Sequence, residues 1–391
     1  MKKLLILLSI FILATSCQKV DEIVGPEINE GATTIVSIPA SDANIGTKQA
    51  MVYLPPGFDT TKNYPVVLFL HGYGGNYLFW QSVEDIKGIL DYMISSGKIK
   101  PCIAVMPDAY NVLGGSFYTN SEYQPLANSV FGRYEDYIIN DVVGFIKTNY
   151  PVDTSEIYLI GISMGGYGAL KLGVKHPDTF KGCASHSGPI AFAQFLETIP
   201  GANVNMIQAV LSEWADFGFR IPCNPDTIKK YLGPSRPLTT MLIAMAGAFS
   251  PKVGPLFAFD TLNYELPLDT VPETFGTVWA GVRLPLTREG DTNSVFNEWL
   301  TNHDVFNLIE SNFDNIRQHN LKIYIDCGYQ DELFLAPHAL ACHTLLENLS
   351  YEHYFELFTE TPGYPADDFP PRHGTHLQIR VYHSLKYFLG Y

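Results

Sequence analysis

The segment Gly161-Ile162-Ser163-Met164-Gly165 joins a short apolar run directly to a helical pattern, and this junction constrains the fold more than any other part of the chain. The run before it, Ile157–Ile160, is typical of a buried strand, whereas Gly166–Val174 repeats apolar residues at helical spacing. A turn this tight leaves no room for side chains two residues before and after the serine, which explains both glycines. We therefore predict that Ser163 is a nucleophile at a helix N-terminus, where free backbone N–H groups favour negative charge.

Strand-like runs alternate with helical patterns on both sides of this junction, which predicts a mostly parallel sheet with helices on both faces. The predicted strands are Met51–Leu54, Val66–His71, Cys102–Met106, Ile157–Ile160, Gly182–Ser185, Leu321–Cys327 and Tyr351–Phe358. The predicted helices are Val83–Ser95, Tyr134–Tyr150, Gly166–Val174, Pro337–Leu349 and Leu377–Leu389. Between these two groups the alternation gives way to helical pieces and loops rich in proline and glycine. We predict one α/β domain of residues 33–190 and 319–391, with a long, mainly helical cap insertion at residues 191–318.

The first residues have the pattern of an export signal. Met1–Lys3 is positively charged, Leu4–Leu13 is apolar, and Ala14-Thr15-Ser16-Cys17 ends the stretch with small residues. The pattern predicts a bacterial lipoprotein signal over residues 1–17 with a lipidated Cys17, although position 14 is usually Leu in such signals. A tether at residues 18–32 would follow, and the protein would be exported and held at the cell envelope. The alternative is a plain cleavable signal in which Cys17 has no role.

Composition excludes several classes of protein. The net charge of −15 and the lack of a basic cluster argue against nucleic-acid binding, which depends on neutralising phosphates. A charged fraction of only 17% and an aromatic fraction of 13% exclude a disordered chain, and no apolar run reaches the length of a membrane span. Cys102, Cys183 and Cys327 lie in apolar runs and are expected to be buried thiols. Because CxxC and HExxH motifs are absent, we expect no zinc site and no other cofactor.

A serine nucleophile needs a histidine base and an acid that orients it. In this topology the acid and then the histidine follow the serine along the chain. Asp331 lies just past the strand Leu321–Cys327 and is the predicted acid; Asp326 lies within that strand, where a structural hydrogen bond is expected. His373 and His376 both precede the last helix. Because His376 stands directly at the helix, we predict it as the base and keep His373 as the alternative.

The oxyanion formed on attack needs two backbone N–H donors. One is expected from Met164, the residue after the nucleophile. The other is expected from Tyr73, in the glycine-rich loop His71–Gly75 that follows a predicted strand.

The chain resembles the α/β-hydrolase family that includes esterase D (S-formylglutathione hydrolase), feruloyl and acetyl-xylan esterases, and mycolyltransferases. The segments that carry this resemblance are Tyr53–Gly57, Leu70–Gly75, Gly161–Leu170, His176-Pro177, Ser187-Gly188 and Asp326–Gly328 with Asp331. The resemblance implies an α/β-hydrolase fold and a Ser-His-Asp triad. The family's base commonly lies in a Gly-x-His turn, which Gly374-Thr375-His376 fits, and its acid position falls on Asp331. The middle segment is longer than the family's usual connection.

These observations predict an exported, lipid-anchored serine carboxylesterase that acts on a small-molecule or glycan ester, with an acylated or feruloylated carbohydrate as the expected substrate. Two alternatives remain. A peptidase of the prolyl-oligopeptidase type also carries G-x-S-x-G-G-Y, but the chain has no propeller-blade repeats. A glycan-binding lipoprotein that uses a hydrolase scaffold without turnover is the other.

Overall fold

The computed structural model describes residues 28–43, 45–122, 131–198, 204–222, 224–255, 265–273, 276–359 and 371–391. The predicted signal, Cys17 and the tether up to residue 27 lie outside the described residues. Among the residues that are described, no helix combines the length and the apolar character needed to cross a membrane.

Eleven strands form two sheets within the described part of the chain. In chain order they are β1 (Ala32–Ala40), β2 (Gly46–Leu54), β3 (Tyr64–Leu70), β4 (Ile103–Pro107), β5 (Val152–Ile162), β6 (Gly182–His186), β7 (Pro251–Pro255), β8 (Glu265–Glu273), β9 (Gly276–Arg283), β10 (Lys322–Gly328) and β11 (Tyr354–Phe358). The central sheet has the order β1-β2-β4-β3-β5-β6-β10-β11. Its β1–β2 and β2–β4 pairs are antiparallel and its other neighbours are parallel. The predicted mostly parallel sheet is therefore confirmed.

Thirteen helices are described around these sheets. They are α1 (Phe79–Ser82), α2 (Ile86–Ser95), α3 (Tyr134–Asp136), α4 (Val143–Asn149), α5 (Met164–Lys175), α6 (Met206–Ser212), α7 (Pro225–Tyr231), α8 (Pro237–Phe249), α9 (Ser294–Asn302), α10 (Val305–Ser311), α11 (Phe313–His319), α12 (Ala336–Asn348) and α13 (Leu377–Leu389). A π-helical stretch, Tyr137–Val142, joins α3 to α4, which makes the predicted helix over 134–150 nearly continuous. Each other predicted helix, and each predicted strand, matches one of these elements, with ends that differ by at most five residues.

Side chains of β3 alternate between two apolar cores, one on each face of the central sheet. Leu68 belongs to the core that includes Leu170 of α5, whereas Phe69 belongs to the core that includes Leu90 of α2 and Leu385 of α13. This alternation follows from the two-residue repeat of a strand. It explains why a fully apolar strand needs helices on both faces of the sheet.

The described part of the insertion contains more helix than strand, as predicted, but it also contains a small sheet that the sequence did not predict. It contains a three-stranded antiparallel sheet of order β7-β9-β8 beside helices α6 to α11. Prolines in this region favoured loops over strands, since proline cannot donate a ladder hydrogen bond. The structure places Pro251 and Pro255 on β7 and Pro267 and Pro272 on β8, which are both edge strands, and the central strand β9 has no proline. These prolines lie on edge strands, where a missing ladder donor is tolerated, and so the sheet forms despite them.

Candidate active site

Ser163 lies on a strained turn between β5 and α5. Its backbone has φ 56° and ψ −119°, a conformation that L-residues rarely adopt and that tends to occur at functional sites. A Cβ atom at Gly161 would overlap the carbonyl of Gly165, and one at Gly165 would overlap the carbonyl of Leu70. The tight turn inferred from the sequence is thus confirmed. The turn leaves Ser163 partly exposed beyond the carboxyl end of β5.

The loop after β3 packs against the nucleophile. A Cβ atom at Gly72 would lie 3.6 Å from Cβ of Ser163, so the backbone of this loop is in van der Waals reach of the serine. The next two backbone N–H groups of the loop already have partners: that of Gly74 donates to the carbonyl of Gly114, and that of Gly75 to the carbonyl of Gly72. The Tyr73 N–H, in contrast, donates no hydrogen bond within the described part of the chain.

Met164 is the first residue of α5, where backbone N–H groups have no partner within the helix. The two residues predicted to supply oxyanion donors therefore lie beside Ser163, since Met164 follows it and Tyr73 follows Gly72, which is in van der Waals reach of it. The side chains of both residues also meet at Gly115, where an added Cβ would lie 2.5 Å from Sδ of Met164 and 2.8 Å from the Tyr73 ring. The two residues that carry the predicted donors therefore pack against the same glycine.

His71 fixes the backbone of the loop that carries Tyr73. Its Nε2 accepts a hydrogen bond of 2.9 Å from the Ala109 N–H, so Nδ1 carries the proton and donates to the Gly72 carbonyl at 2.8 Å. Burial lowers the pKa of His71, which favours this neutral form. The sequence places His71 at the start of the loop that is predicted to carry an oxyanion donor, but the motif gives no sign of this bracing role.

Asp331 pairs with His373 and not with His376. Asp331 Oδ2 lies 2.8 Å from Nδ1 of His373, and Asp331 Oδ1 accepts a 2.9 Å hydrogen bond from the Leu333 N–H. Burial acts to raise the pKa of Asp331, but the hydrogen bonds from His373 and Leu333 outweigh it and the pKa is lowered. The acid position predicted at Asp331 therefore has a histidine partner, but the predicted choice of His376 is wrong for this pair.

The backbone of residues 371–373 explains the correction. The Gln330 N–H donates to the Pro371 carbonyl, and the His373 N–H donates to Glu332 Oε2 at 3.0 Å. These bonds bring His373 onto the loop that carries Asp331. His376 instead precedes α13 in a left-handed conformation, with φ 48°, and its carbonyl begins the helix by accepting from Ile379.

Asp326 has the structural role that the sequence predicts for it. Its carboxylate accepts from Nε of Arg380 at 3.0 Å and lies 2.9 Å from Nδ1 of His186. Burial acts to raise the pKa of Asp326, but Arg380 and His186 lower it to about 2. Arg380 also donates to the carbonyl of His373 at 2.9 Å and to Oγ of Ser187 at 2.8 Å. Asp326 thus anchors Arg380, which in turn holds the backbone of His373, a role the sequence does not reveal.

The segment 186–187 links the nucleophile to the histidine. The Ser163 N–H donates to the carbonyl of His186 at 2.8 Å, and Oγ of Ser187 donates to the carbonyl of His373 at 3.2 Å. Two consecutive residues at the end of β6 therefore contact the backbones of Ser163 and His373. Ser163, His373 and Asp331 consequently lie on the same side of the sheet, beyond the carboxyl ends of β5, β6 and β10.

Known proteins share this arrangement of elements. A ferulic acid esterase structure aligns with a TM-score of 0.53 at 16% identity, covering 92% of this chain and 98% of that one. The fluorophosphonate-binding serine hydrolase FphF of Staphylococcus aureus aligns with a TM-score of 0.52 at 15% identity, covering 92% and 99%. At these identities the alignments show the fold, and they confirm the predicted α/β-hydrolase architecture.

Sequence comparisons identify relatives over part of the chain. Esterase Rv1288 of Mycobacterium tuberculosis is 34% identical over 142 residues, which are 35% of this chain and 28% of that protein. The endo-1,4-beta-xylanase/feruloyl esterase of Xylanibacter ruminicola is 28% identical over 162 residues, 39% of this chain and 21% of that protein. The chain thus spans about a quarter of the length of these relatives. The family model described as "Putative esterase" matches residues 45–357. Because that model covers most of the chain, including Ser163 and Asp331, the chain belongs to the Putative esterase family of α/β-hydrolase-fold proteins.

Proposed function

We propose that this protein is a serine carboxylesterase in which Ser163 is the nucleophile, His373 the general base and Asp331 the group that orients the base. The observation that carries the proposal is the 2.8 Å hydrogen bond between Asp331 and Nδ1 of His373, at the same sheet edge as the strained Ser163 turn. With Nδ1 protonated and bonded to the carboxylate, Nε2 of His373 is left to accept a proton.

The reaction follows from these groups. Nε2 of His373 takes the proton of the Ser163 hydroxyl as its oxygen attacks the ester carbonyl. The N–H groups of Met164 and Tyr73 bind the oxyanion, and Asp331 stabilises the imidazolium. His373 then returns the proton to the leaving alcohol as the carbonyl–oxygen bond breaks, which leaves an acyl-serine. A water molecule, activated by His373, hydrolyses that acyl group and restores the enzyme.

For the substrate we propose an acyl ester of a carbohydrate. Support comes from relatives whose names include feruloyl esterase and acetyl esterase, which act on the acyl groups in those names. Acetyl and feruloyl groups are therefore the first acyl groups to test.

We also propose export and lipid anchoring at Cys17. The support is the sequence alone, a basic start and an apolar stretch that ends in small residues and Cys17. Expression in a bacterial host with a radiolabelled fatty acid tests this, because the parent should incorporate label and Cys17→Ala should not. Label in both proteins, or in neither, would contradict anchoring at Cys17.

Hydrolysis of p-nitrophenyl acetate, methyl ferulate and acetylated xylan by the parent and by Ser163→Ala tests the enzymatic proposal. Proline-containing peptide substrates are assayed in parallel. Ester cleavage that disappears in Ser163→Ala supports the esterase. Cleavage of the peptides alone would indicate a peptidase, and glycan binding without turnover would indicate a binding protein; either result overturns the proposal.

A further inference from the structure

Two histidines and a glutamate converge at the far side of the fold from the proposed active site. His343 and Glu347 lie four residues apart on α12, so their side chains share one helix face. His353 lies in the connection from α12 to β11. One nitrogen or oxygen atom from each of the three residues lies within 4.8 Å of those of the other two.

The ring of His353 is held in a defined tautomer. Its Nδ1 lies 2.8 Å from the carbonyl of Tyr351, so Nδ1 donates and Nε2 keeps its lone pair. That lone pair faces Nδ1 of His343 at 2.8 Å. A hydrogen bond from the second ring nitrogen to a backbone carbonyl is the usual way in which proteins orient a histidine that binds metal.

The ring of His343 is also fixed. It stacks on Phe355 of β11 with ring centroids 4.0 Å apart and planes 5° from parallel. Two nitrogens bound to a tetrahedral zinc ion at about 2.0–2.1 Å would be about 3.3 Å apart. The two imidazole nitrogens therefore need to separate by only about half an ångström to share an ion.

We propose that His343, Glu347 and His353 form a binding site for a divalent transition metal, with zinc as the ion best suited to it. Two imidazoles and one carboxylate are a zinc ligand set, and a water molecule can complete a tetrahedron on the exposed side of Glu347. The sequence contains no CxxC or HExxH motif, so only the fold reveals this site.

The position of the site indicates a structural role. His353 directly precedes β11, at the amino end of a strand parallel to β10, whereas Asp331 follows the carboxyl end of β10. The two sites therefore lie at opposite ends of these parallel strands, the proposed metal site at the amino ends and the proposed active site at the carboxyl ends. A bound ion would tie α12 to the start of β11, which is the edge strand of the sheet, and would stabilise the folded chain without touching the ester.

Zinc binding by the purified full-length chain, without a histidine tag, tests the proposal in competition with a chromophoric chelator. We expect about one equivalent of zinc per chain. His353→Ala and Glu347→Gln should each weaken binding by about a hundredfold or more, since even residues that only orient ligands change metal affinity by 10- to 100-fold. Zinc should also raise the melting temperature of the parent and leave that of His353→Ala unchanged.

Matched controls are available on a neighbouring part of the chain. His319→Ala on α11 and Glu310→Gln on α10 remove the same chemical groups elsewhere and should bind zinc as the parent does. Ser163→Ala should do so as well, which separates this site from the proposed esterase function. If His353→Ala does not fold, the exposed Glu347→Gln variant still decides the question. No zinc binding by the parent, or binding unchanged in both variants, would overturn the site and leave a simple hydrogen bond between the two histidines.

Discussion

Asp331 Oδ2 and His373 Nδ1 are joined by a hydrogen bond of 2.8 Å. The carboxylate is inaccessible to solvent, whereas the His373 side chain keeps 16% of its surface exposed. One ring nitrogen is therefore fixed to a buried acid while the ring itself stays reachable. This asymmetry is what a general base requires, since its orientation must be set from inside while substrate approaches from outside.

Replacing His373 should abolish ester hydrolysis, whereas replacing His376 should not. Because both asparagine variants remove an imidazole but keep a polar side chain, His373→Asn and His376→Asn form a matched pair. Asparagine also tolerates the left-handed conformation of residue 376. We expect kcat/KM for p-nitrophenyl acetate to fall by about 10⁴-fold or more in His373→Asn and by only a few-fold in His376→Asn. A larger loss of kcat/KM in His376→Asn than in His373→Asn would identify His376 as the base.

Arg380 should stabilise the fold most strongly near neutral pH. Arg380→Met leaves the Asp326 carboxylate buried without its main cation, which should reduce the free energy of unfolding by about 3–5 kcal/mol at pH 7. In the parent the pKa of Asp326 is lowered to about 2, so its stabilising contribution is present above about pH 4 and is lost as the pH falls toward 2. Without the arginine, His186 alone opposes the effect of burial, so we expect that pKa to be higher in the variant than in the parent.

Protonation of Asp326 should then remove its unpaired buried charge in Arg380→Met as the pH falls. The difference in free energy of unfolding between the parent and the variant should therefore shrink between pH 7 and pH 4. Urea unfolding at several pH values measures this trend. Arg317→Met, on the exposed face of α11, is the control and should show no such trend. A deficit that is constant with pH would show that the Arg380 side chain matters for packing alone.

Arg380 should also position the base without taking part in the chemistry. It donates to the carbonyl of His373 and does not contact the imidazole through any hydrogen bond in the described structure. We expect Arg380→Lys to retain the fold, since it keeps the cation, and to lower kcat with KM little changed, because lysine cannot reproduce the planar array of donors. Steady-state kinetics across pH checks this. A shifted pH–rate profile would instead indicate a direct effect on the titration of the base.

The sequence predicts the tight turn at Ser163 better than the histidine that pairs with Asp331, for a physical reason. The contact that forces glycine at position 161 is made with Gly165, two residues past Ser163, so a local pattern records this tight turn. The pairing of Asp331 with His373 depends on hydrogen bonds between residues 330 and 371 and between residues 332 and 373, which are about forty positions apart. No spacing within the loop records those bonds.

The same distinction applies to the rest of the molecule. The strands of the parallel sheet are recognisable because continuous apolar runs must be buried on both faces. The sheet of the insertion is not, since its edge strands contain prolines that the local pattern assigns to loops. His186 on β6 and Arg380 on α13 are equally hidden, because their partner Asp326 lies on β10 and only the tertiary fold brings the three together.

His71 should support catalysis through the backbone it braces. His71→Leu removes the acceptor for the Ala109 N–H and the donor to the Gly72 carbonyl, so the loop that carries the Tyr73 N–H would lose its fixed position. We expect kcat to fall by about 10²–10³-fold, the effect of losing one oxyanion donor. Tyr73→Phe is the control. It removes only the 2.7 Å bond from the Tyr73 hydroxyl to the Leu113 carbonyl, keeps the backbone N–H and should change kcat little.

Kinetic comparison of the two variants on p-nitrophenyl acetate measures this difference. If Tyr73→Phe reduces kcat as much as His71→Leu does, the side chain of Tyr73 acts in the reaction and the proposed backbone donor is insufficient. If neither variant changes kcat, the oxyanion must be bound elsewhere.

Two glycines with opposite surroundings give a final prediction. A Cβ at Gly165 would overlap the carbonyl oxygen of Leu70, whereas a Cβ at Gly144 on α4 would have no atom within 4 Å. Gly144→Ala should therefore stabilise the protein by about 0.5–1 kcal/mol, the usual gain in a helix. Gly165→Ala should destabilise it by more than about 2 kcal/mol, because two backbone segments cannot move apart without breaking the sheet or the helix.

Gly165→Ala should lose more activity than its stability alone would explain. Leu70 ends β3 and leads into the loop that carries Tyr73, while Gly165 follows Ser163 and Met164, so the added methyl group would push the two oxyanion donors apart. Activity and urea unfolding of the same preparation, assayed where both variants are fully folded, separate the two effects. A folded Gly165→Ala with parental kcat would show that the close contact of β3 and α5 serves packing and has no part in setting the distance between the donors.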